Sequence, residues 1–313
     1  MLSFTKSRFT GKRTYISILV ILIISSSLMY GQRIFRPIDP NNGGARYGKS
    51  PYSGPPFLCF GSTSYQYHIA HSQYNNFISD VNAAFTSWNN AGQVQFSRTT
   101  SAGLTLTAQA QDYNSWGPAW SYPSWNGSTY ELTPSSASIV LNTNVTWRND
   151  QQHLNANPPI LDVQSMVVHE AGHIHGLAHP LTDSYAHDAT APTMAGGDNA
   201  YFDNTLDVRS LETEDIYGTQ FLQLRVPSLY SSLNNAMSVA SAIGMGYVYV
   251  DGSCTLTGNI SIPSGVTLTL LPAANVNFNG YYIEPTGGTF NIQNGSTVYL
   301  TNGGSKYYGL FTS

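Results

Sequence analysis

Residues 169 to 179 read His-Glu-Ala-Gly-His-Ile-His-Gly-Leu-Ala-His, and no other stretch restricts the fold as tightly. His169 and His173 stand four residues apart, the spacing that puts two rings on one face of a helix within reach of a single metal ion. Glu170 points partly sideways from the same turn, where its carboxylate can touch a water beside the metal without being a ligand. A helix that ran on would carry His179 past the other two rings. Gly176 can take a positive φ and turn the chain back, which makes His179 a third ligand. Three neutral imidazoles around Zn²⁺ leave the fourth tetrahedral position open, the arrangement of a catalytic rather than a structural site.

The flanking sequence supplies the framework such a site needs. Asp162 follows the helix-hostile pair Pro158 and Pro159 as an N-cap, and Val163, Met166, Val167 and Ile174 form the apolar stripe of the helix behind it. Upstream, Phe77, Val81, Ala84, Phe85 and Trp88 recur at helical steps. Strand patterns lie at 65–69, 94–97, 104–108 and 138–142, so a strand-helix-strand unit with a partly parallel sheet leads into the histidines. Residues 112–134 carry Tyr113, Trp116, Trp120, Tyr122, Trp125 and Tyr130 among Gly, Pro and Ser, a loop that either lines a cleft or packs on the sheet. His175 is expected at the surface or just behind the ligands; His68, His71, His153 and His187 have no ligand spacing.

Histidines, Glu170 and Gly176 together match H-E-x-x-H-x-x-G-x-x-H, and the chain here resembles the metzincins. Ala191-Pro192-Thr193-Met194-Ala195-Gly196 is similar to their Met-turn, and Leu211 to Gln220 to the last helix of the matrixin branch. The resemblance covers roughly residues 57–225. It implies an α+β catalytic domain with a twisted mixed sheet, two long helices, a zinc cleft, a Met-turn and a C-terminal helix. It also implies one catalytic Zn²⁺ on His169, His173 and His179, Met194 as an apolar floor beneath them, and Glu170 as the general base that activates water against a peptide bond. Substrate would lie extended along an edge strand. The chain departs from the family where a second, structural zinc would bind, because the His-and-Asp pattern is missing. The pro-segment Cys motif is missing too, since Cys59 lacks its Arg and Asp, and Gly196 stands where astacin-like relatives place a Tyr. Calcium at Asp183, Asp188, Asp198, Asp203 or Asp207 is what the family likeness allows; their spacing alone reads as solvated loop carboxylates.

The ends of the chain set the compartment and the domain plan. Lys6, Arg8, Lys12 and Arg13 precede an apolar run from Tyr15 to Ile24, so 1–31 reads as a secretory signal, with the cut after Gly31 and an uncleaved anchor as the alternative. Removing it leaves 9 basic against 17 acidic residues, a secreted or extracellular chain of about −8 with no call for a nucleic-acid partner and no stable membrane insertion. Cys59 and Cys254 read as separate thiols rather than a disulfide framework. Residues 32–56, rich in Pro and Gly, form a linker or short pro-segment contributing little core. The metallopeptidase domain takes 57–225, and 226–313 forms an all-β accessory region. There Gly265–Leu270 and Gly295–Leu300 match at a 30-residue offset with a looser copy at 288–292, which suggests a β-solenoid or small sandwich. That region carries no catalytic constellation and would contact polysaccharide, protein or the cell surface, or act as a spacer. Two functions follow: a secreted zinc endopeptidase, or a silent adhesin-like protein that keeps its zinc site. Retention of Glu170 favours the first.

Overall fold

A computed structural model describes residues 35–38, 57–150, 160–179, 193–194 and 209–300, all within one of the chain's two compact units, Phe35–Ser313. Residues 1–31, read from the sequence as a secretory signal, most of the expected linker, and the acidic residues from Asp183 to Asp207 lie outside the described residues.

Five strands make the main sheet: β2 (Ser64–Ile69), β3 (Gln95–Arg98), β4 (Leu104–Gln109), β5 (Ala119–Tyr122) and β6 (Ser138–Asn142). Their order is β3-β2-β4-β6-β5. β2 is parallel to β3 and β4, and β4 to β6; only β5 runs antiparallel, against β6. Helix α1, Ile78–Ala91, makes the crossover from β2 to β3 and buries Val81, Ala84, Phe85 and Trp88, the face its periodicity marks. Phe85 stacks on Tyr67 of β2 with ring centres 4.0 Å apart. Within the aromatic stretch, Tyr113–Trp116 makes a single turn, α2, and the next residues form β5, a strand that the Gly, Pro and Ser around it conceal in the sequence.

A short parallel ladder of β7 (Thr146–Arg148) and β8 (Ile160–Asp162) delivers the chain into α3, Val163–Ile174. Asp162 is the expected N-cap: its carboxylate accepts the Ser165 N–H at 2.9 Å and the Arg209 Nε at 3.0 Å. From Ser165 to Ile174 the helix is buried throughout. It packs on α1 and β5, and the Trp88 indole donates to the Val168 carbonyl at 2.8 Å across the helix pair.

The described part of the linker has a role that its composition hides. β1, Arg36–Pro37, pairs antiparallel with β9, Leu177–Ala178, just beyond Gly176. Ile38 is buried and donates its N–H to the Gly176 carbonyl at 2.8 Å. A two-residue strand needs no periodicity and tolerates Pro at its edge, so the segment joins the core that was not expected of it.

Helix α4, Thr213–Phe221, closes the domain, and the strands after it are all parallel. β10 (Arg225–Val226), β11 (Gly246–Val250), β14 (Val266–Leu270) and β17 (Thr289–Ile292) form one ladder. β12 (Ser253–Thr255), β15 (Asn275–Asn277) and β18 (Thr297–Tyr299) form a second, and β13 (Ile260–Pro263) with β16 (Ile283–Thr286) a third. Gly246 pairs with Val266, Ser253 with Asn275, Ile260 with Ile283 and Thr267 with Thr289, so the chain returns to register after 20, 22, 23 and 22 residues. This winding is of the solenoid type, without a closed solenoid among the described residues. The 30-residue likeness is a different thing: its two copies fall in different ladders, β14 and β18, and share a glycine turn, with φ of 84° at Gly265 and 91° at Gly295, ahead of an alternating strand. Helix α5, Leu233–Ile243, packs its apolar face on β10, β11 and β13 at the start of the winding. β10 belongs to this ladder, so a boundary between 225 and 226 would cut a strand.

Candidate metal centre

α3 presents His169 and His173 one turn apart, and the chain then reverses at Gly176, whose φ is +88°. A Cβ there would also meet Leu222 at 3.1 Å, so glycine is required by conformation and by space. Two residues of β9 later, His179 arrives opposite the helix. Its Nε2 lies 2.9 Å from that of His169 and 3.2 Å from that of His173. The three nitrogens lie within 4.8 Å of one another and form a group able to hold a metal ion.

The remaining ring nitrogens show which way the imidazoles are prepared. His169 Nδ1 stands 2.7 Å from the Thr193 carbonyl, and His173 Nδ1 2.6 Å from the Leu177 carbonyl. A carbonyl only accepts, so both Nδ1 atoms carry the proton and both Nε2 atoms keep a lone pair. Burial, reinforced by His179, holds the His169 pKa down to about 3, and His173 is likewise held well below its ordinary value. Lone pairs of neutral imidazoles aimed at one another repel, and a cation between them removes the repulsion. Nitrogen donors with carbonyl-fixed tautomers suit Zn²⁺.

Glu170 is 6% exposed, and its Oε2 has no hydrogen-bond partner among the described residues. Burial raises its pKa to about 7, and the Ser121 hydroxyl on β5 partly offsets that rise. Met194 is buried against the helix: a Cβ on Gly172 would fall 2.1 Å from its Sδ and 2.9 Å from Trp88. The first glycine of the motif thus makes room for the Met194 side chain.

The turn holding Met194 is tied to α4. Asp215 accepts the Thr193 N–H at 2.8 Å and the Met194 N–H at 3.2 Å, and Glu212 accepts the Thr193 N–H at 3.1 Å. The acidic residues of the last helix therefore hold the same Thr193 whose carbonyl orients His169. Sequence spacing picked out the five residues of the motif and Met194; the structure brings His169, His173 and His179 together and packs Met194 on Gly172 of the same helix. Spacing missed the Thr193 carbonyl and the bond from Asp215, because each depends on which turn lies opposite α3. His175 is not at the surface: it is fully buried, stacked on Trp88 at 4.7 Å and bonded to Thr219 Oγ1 at 3.0 Å. The helix turns one face of its last residues toward the zinc ligands and the other into the core between α1 and α4.

Among solved structures, the GM1-bound form of the ECX AB5 holotoxin contains a similar chain, 13% identical over 53% of this chain and 84% of that one, with a TM-score of 0.34. A superposition this loose supports no statement about fold or function. No curated protein matches the chain. The matrixin family model matches residues 60–220, from the strand that opens the sheet to the helix that holds the Met194 turn, more than half of the sequence. With its three histidines in the family's zinc-binding pattern, the chain belongs to the matrixin family.

Proposed function

We propose that this matrixin is an exported zinc endopeptidase in which Glu170 is the general base. Metallopeptidase chemistry on peptide or protein substrates comes with the family. The finer reading is carried by one observation: on the helix that supplies two of three converging imidazoles, the buried carboxyl next to His169 has an oxygen with no hydrogen-bond partner among the described residues.

Bound by His169, His173 and His179, zinc supplies Lewis acidity toward water and toward a peptide carbonyl. The chain's own groups do the rest. Thr193 and Leu177 hold the His169 and His173 tautomers through their carbonyls. Glu170 takes the proton of the attacking water and returns it to the leaving amine, the acid-base shuttle open to a buried carboxyl. β5 ends the sheet beside Glu170 and is its only antiparallel strand, so an extended substrate adds there by backbone pairing. Export rests on the basic start and apolar run of residues 1–31.

Cleavage of casein, an unstructured protein, tests the reading. Zinc-loaded protein cuts, a chelator stops it, and added zinc restores it. Glu170→Ala keeps one zinc per chain and loses ~10²–10⁴-fold or more in rate, whereas His179→Ala loses affinity for the metal itself. If zinc-loaded wild type leaves casein and peptide libraries intact, the peptidase reading fails.

A further inference from the structure

His179 is the ligand that the motif helix does not carry, and it reaches the metal centre directly after β9, a strand of two residues. So short a strand cannot hold its own position. One side of β9 is fixed by the helix, since the Leu177 carbonyl meets His173 Nδ1 at 2.6 Å. The other side is fixed by residues 35–38, far upstream in the chain. Among the described residues β1 is the one strand that pairs with β9, in the register Arg36 to Ala178 and Pro37 to Leu177. Ile38 extends the ladder by donating its N–H to the Gly176 carbonyl at 2.8 Å. Opposed residues of an antiparallel ladder alternate between bonded and unbonded pairs, which puts Pro37 where no N–H is called for. Side chains anchor the segment as firmly as its backbone. Ile38 is 1% exposed, Pro37 is buried, and the Phe35 ring lies 5.4 Å from that of Phe221 on α4. Gly218 on the same helix leaves the space that Phe35 and Leu177 occupy: a Cβ there would fall 2.8 Å from one and 2.9 Å from the other.

We propose that residues 35–38 are a positioning strap for the third zinc ligand: paired to β9 and anchored on α4, they hold His179 at the site, and zinc binds more weakly when they are displaced. Phe35, Pro37 and Ile38 carry no metal-binding side chain, so they act through the backbone that precedes His179. A site whose competent form is only partly populated binds with an affinity reduced by that fraction, and a two-residue pairing opens more readily than the helices it lies on. The expected signal cut after Gly31 leaves the strap on the chain. The assignment rests on zinc at the three histidines and not on cleavage.

The test uses the full chain, stripped of metal and titrated with zinc against a chelator of known affinity. Wild type is compared with Ile38→Val, Ile38→Pro, and a double variant carrying Phe35→Asp and Ile38→Asp. The double variant puts two charges where the strap meets the core. Its zinc affinity falls about tenfold, the value for a strap detached in about nine molecules of ten. Ile38→Pro, which keeps an apolar side chain and loses the N–H, falls in the same direction by about threefold, and Ile38→Val stays within about twofold of wild type. Hydrogen exchange of the metal-free protein separates positioning from a structural role: residues 177–179 lose protection in the double variant while α1 and α3 keep theirs. Undiminished affinity in the double variant overturns the proposal, and so does a loss of affinity that comes with equal loss of protection across α1 and α3. Should the double variant fail to fold, Ile38→Pro decides by the same two measurements. A wild type that binds no zinc removes the metal centre and the strap together. One that binds zinc but leaves casein intact removes the peptidase reading alone, and equal affinity with the strap displaced removes the strap alone.

Discussion

A metal ligand set is only as good as the backbone that delivers each ring, and in this chain the delivery of His179 depends on one dihedral. Gly176 holds φ at +88° with its N–H bonded to the His173 carbonyl at 3.0 Å, so the turn is closed on the helix and leaves no slack. An L side chain at that φ costs about 1–2 kcal/mol, and the added methyl would press on Leu222. Relaxing that strain moves the Leu177 carbonyl that fixes the His173 tautomer and moves His179 with it. Gly176→Ala is therefore expected to bind zinc about tenfold more weakly, since ~1.4 kcal/mol is a factor of ten, as read by competition with a chelator of known affinity. Unchanged affinity would mean that His179 does not need this turn. Residues of this kind were legible in the sequence because the motif is local: three rings, a carboxyl and a turn within eleven positions. The Thr193 carbonyl was not, since a main-chain oxygen carries no signal until the turn that holds it is placed against α3.

Elements showed the same division between local and distant causes. α1 and α3 follow from periodicity and a cap and α4 from its likeness to the matrixin helix, while β5 and the coil register follow from pairings between segments far apart in sequence. α4 shows what a helix end contributes once it is placed. Glu212 caps it, Asp215 reaches back to the Glu212 N–H at 3.1 Å, and both accept the Thr193 N–H above. Carboxylates suit a helix N-terminus, but two of them sharing buried space do not both ionise readily. Burial, and then the charge of Asp215, raise the Glu212 pKa to about 8, and burial raises that of Asp215 as well. An acid whose folded pKa exceeds its unfolded value binds the proton more tightly in the fold, so stability is lost as pH climbs from its ordinary 4.5 toward 8. Glu212→Gln keeps an amide in the same contacts without the charge. Its melting temperature is expected to fall less than that of wild type between pH 5 and about pH 8. Parallel melting curves for the two proteins across that range would show that Glu212 does not carry the effect.

At the scale of the whole molecule, the parallel coil is fastened to the matrixin domain, and the fastening is polar as well as apolar. Phe57 and Phe221 of the domain meet Tyr247 of β11, with ring centres 5.0 Å and 6.1 Å from it, around a cavity of about 190 Å³. At the edge of the cavity Arg225 on β10 donates to Asp251 at 3.0 Å and to the Cys59 sulfur at 2.8 Å, with Glu131 at 3.7 Å. Cys59 and Cys254 are both free of disulfides, so no covalent link spans the junction through them. The Arg225 and Asp251 side chains are only 15% and 14% exposed, and Ser228 is bonded to Asp251 too. Removing Arg225 alone strands Asp251 in a largely buried place, whereas removing both charges does not. Arg225→Ala is expected to cost about 2–4 kcal/mol, and adding Asp251→Asn to recover part of that, a coupling that a double-mutant cycle reads directly. Because Arg225 bonds to both halves, calorimetry should show one transition that shifts as a whole. Two transitions, with Arg225→Ala moving only the one that belongs to the coil, would mean that the coil folds independently of the zinc domain, and that the contacts at Cys59 and Glu131 contribute nothing to holding them together.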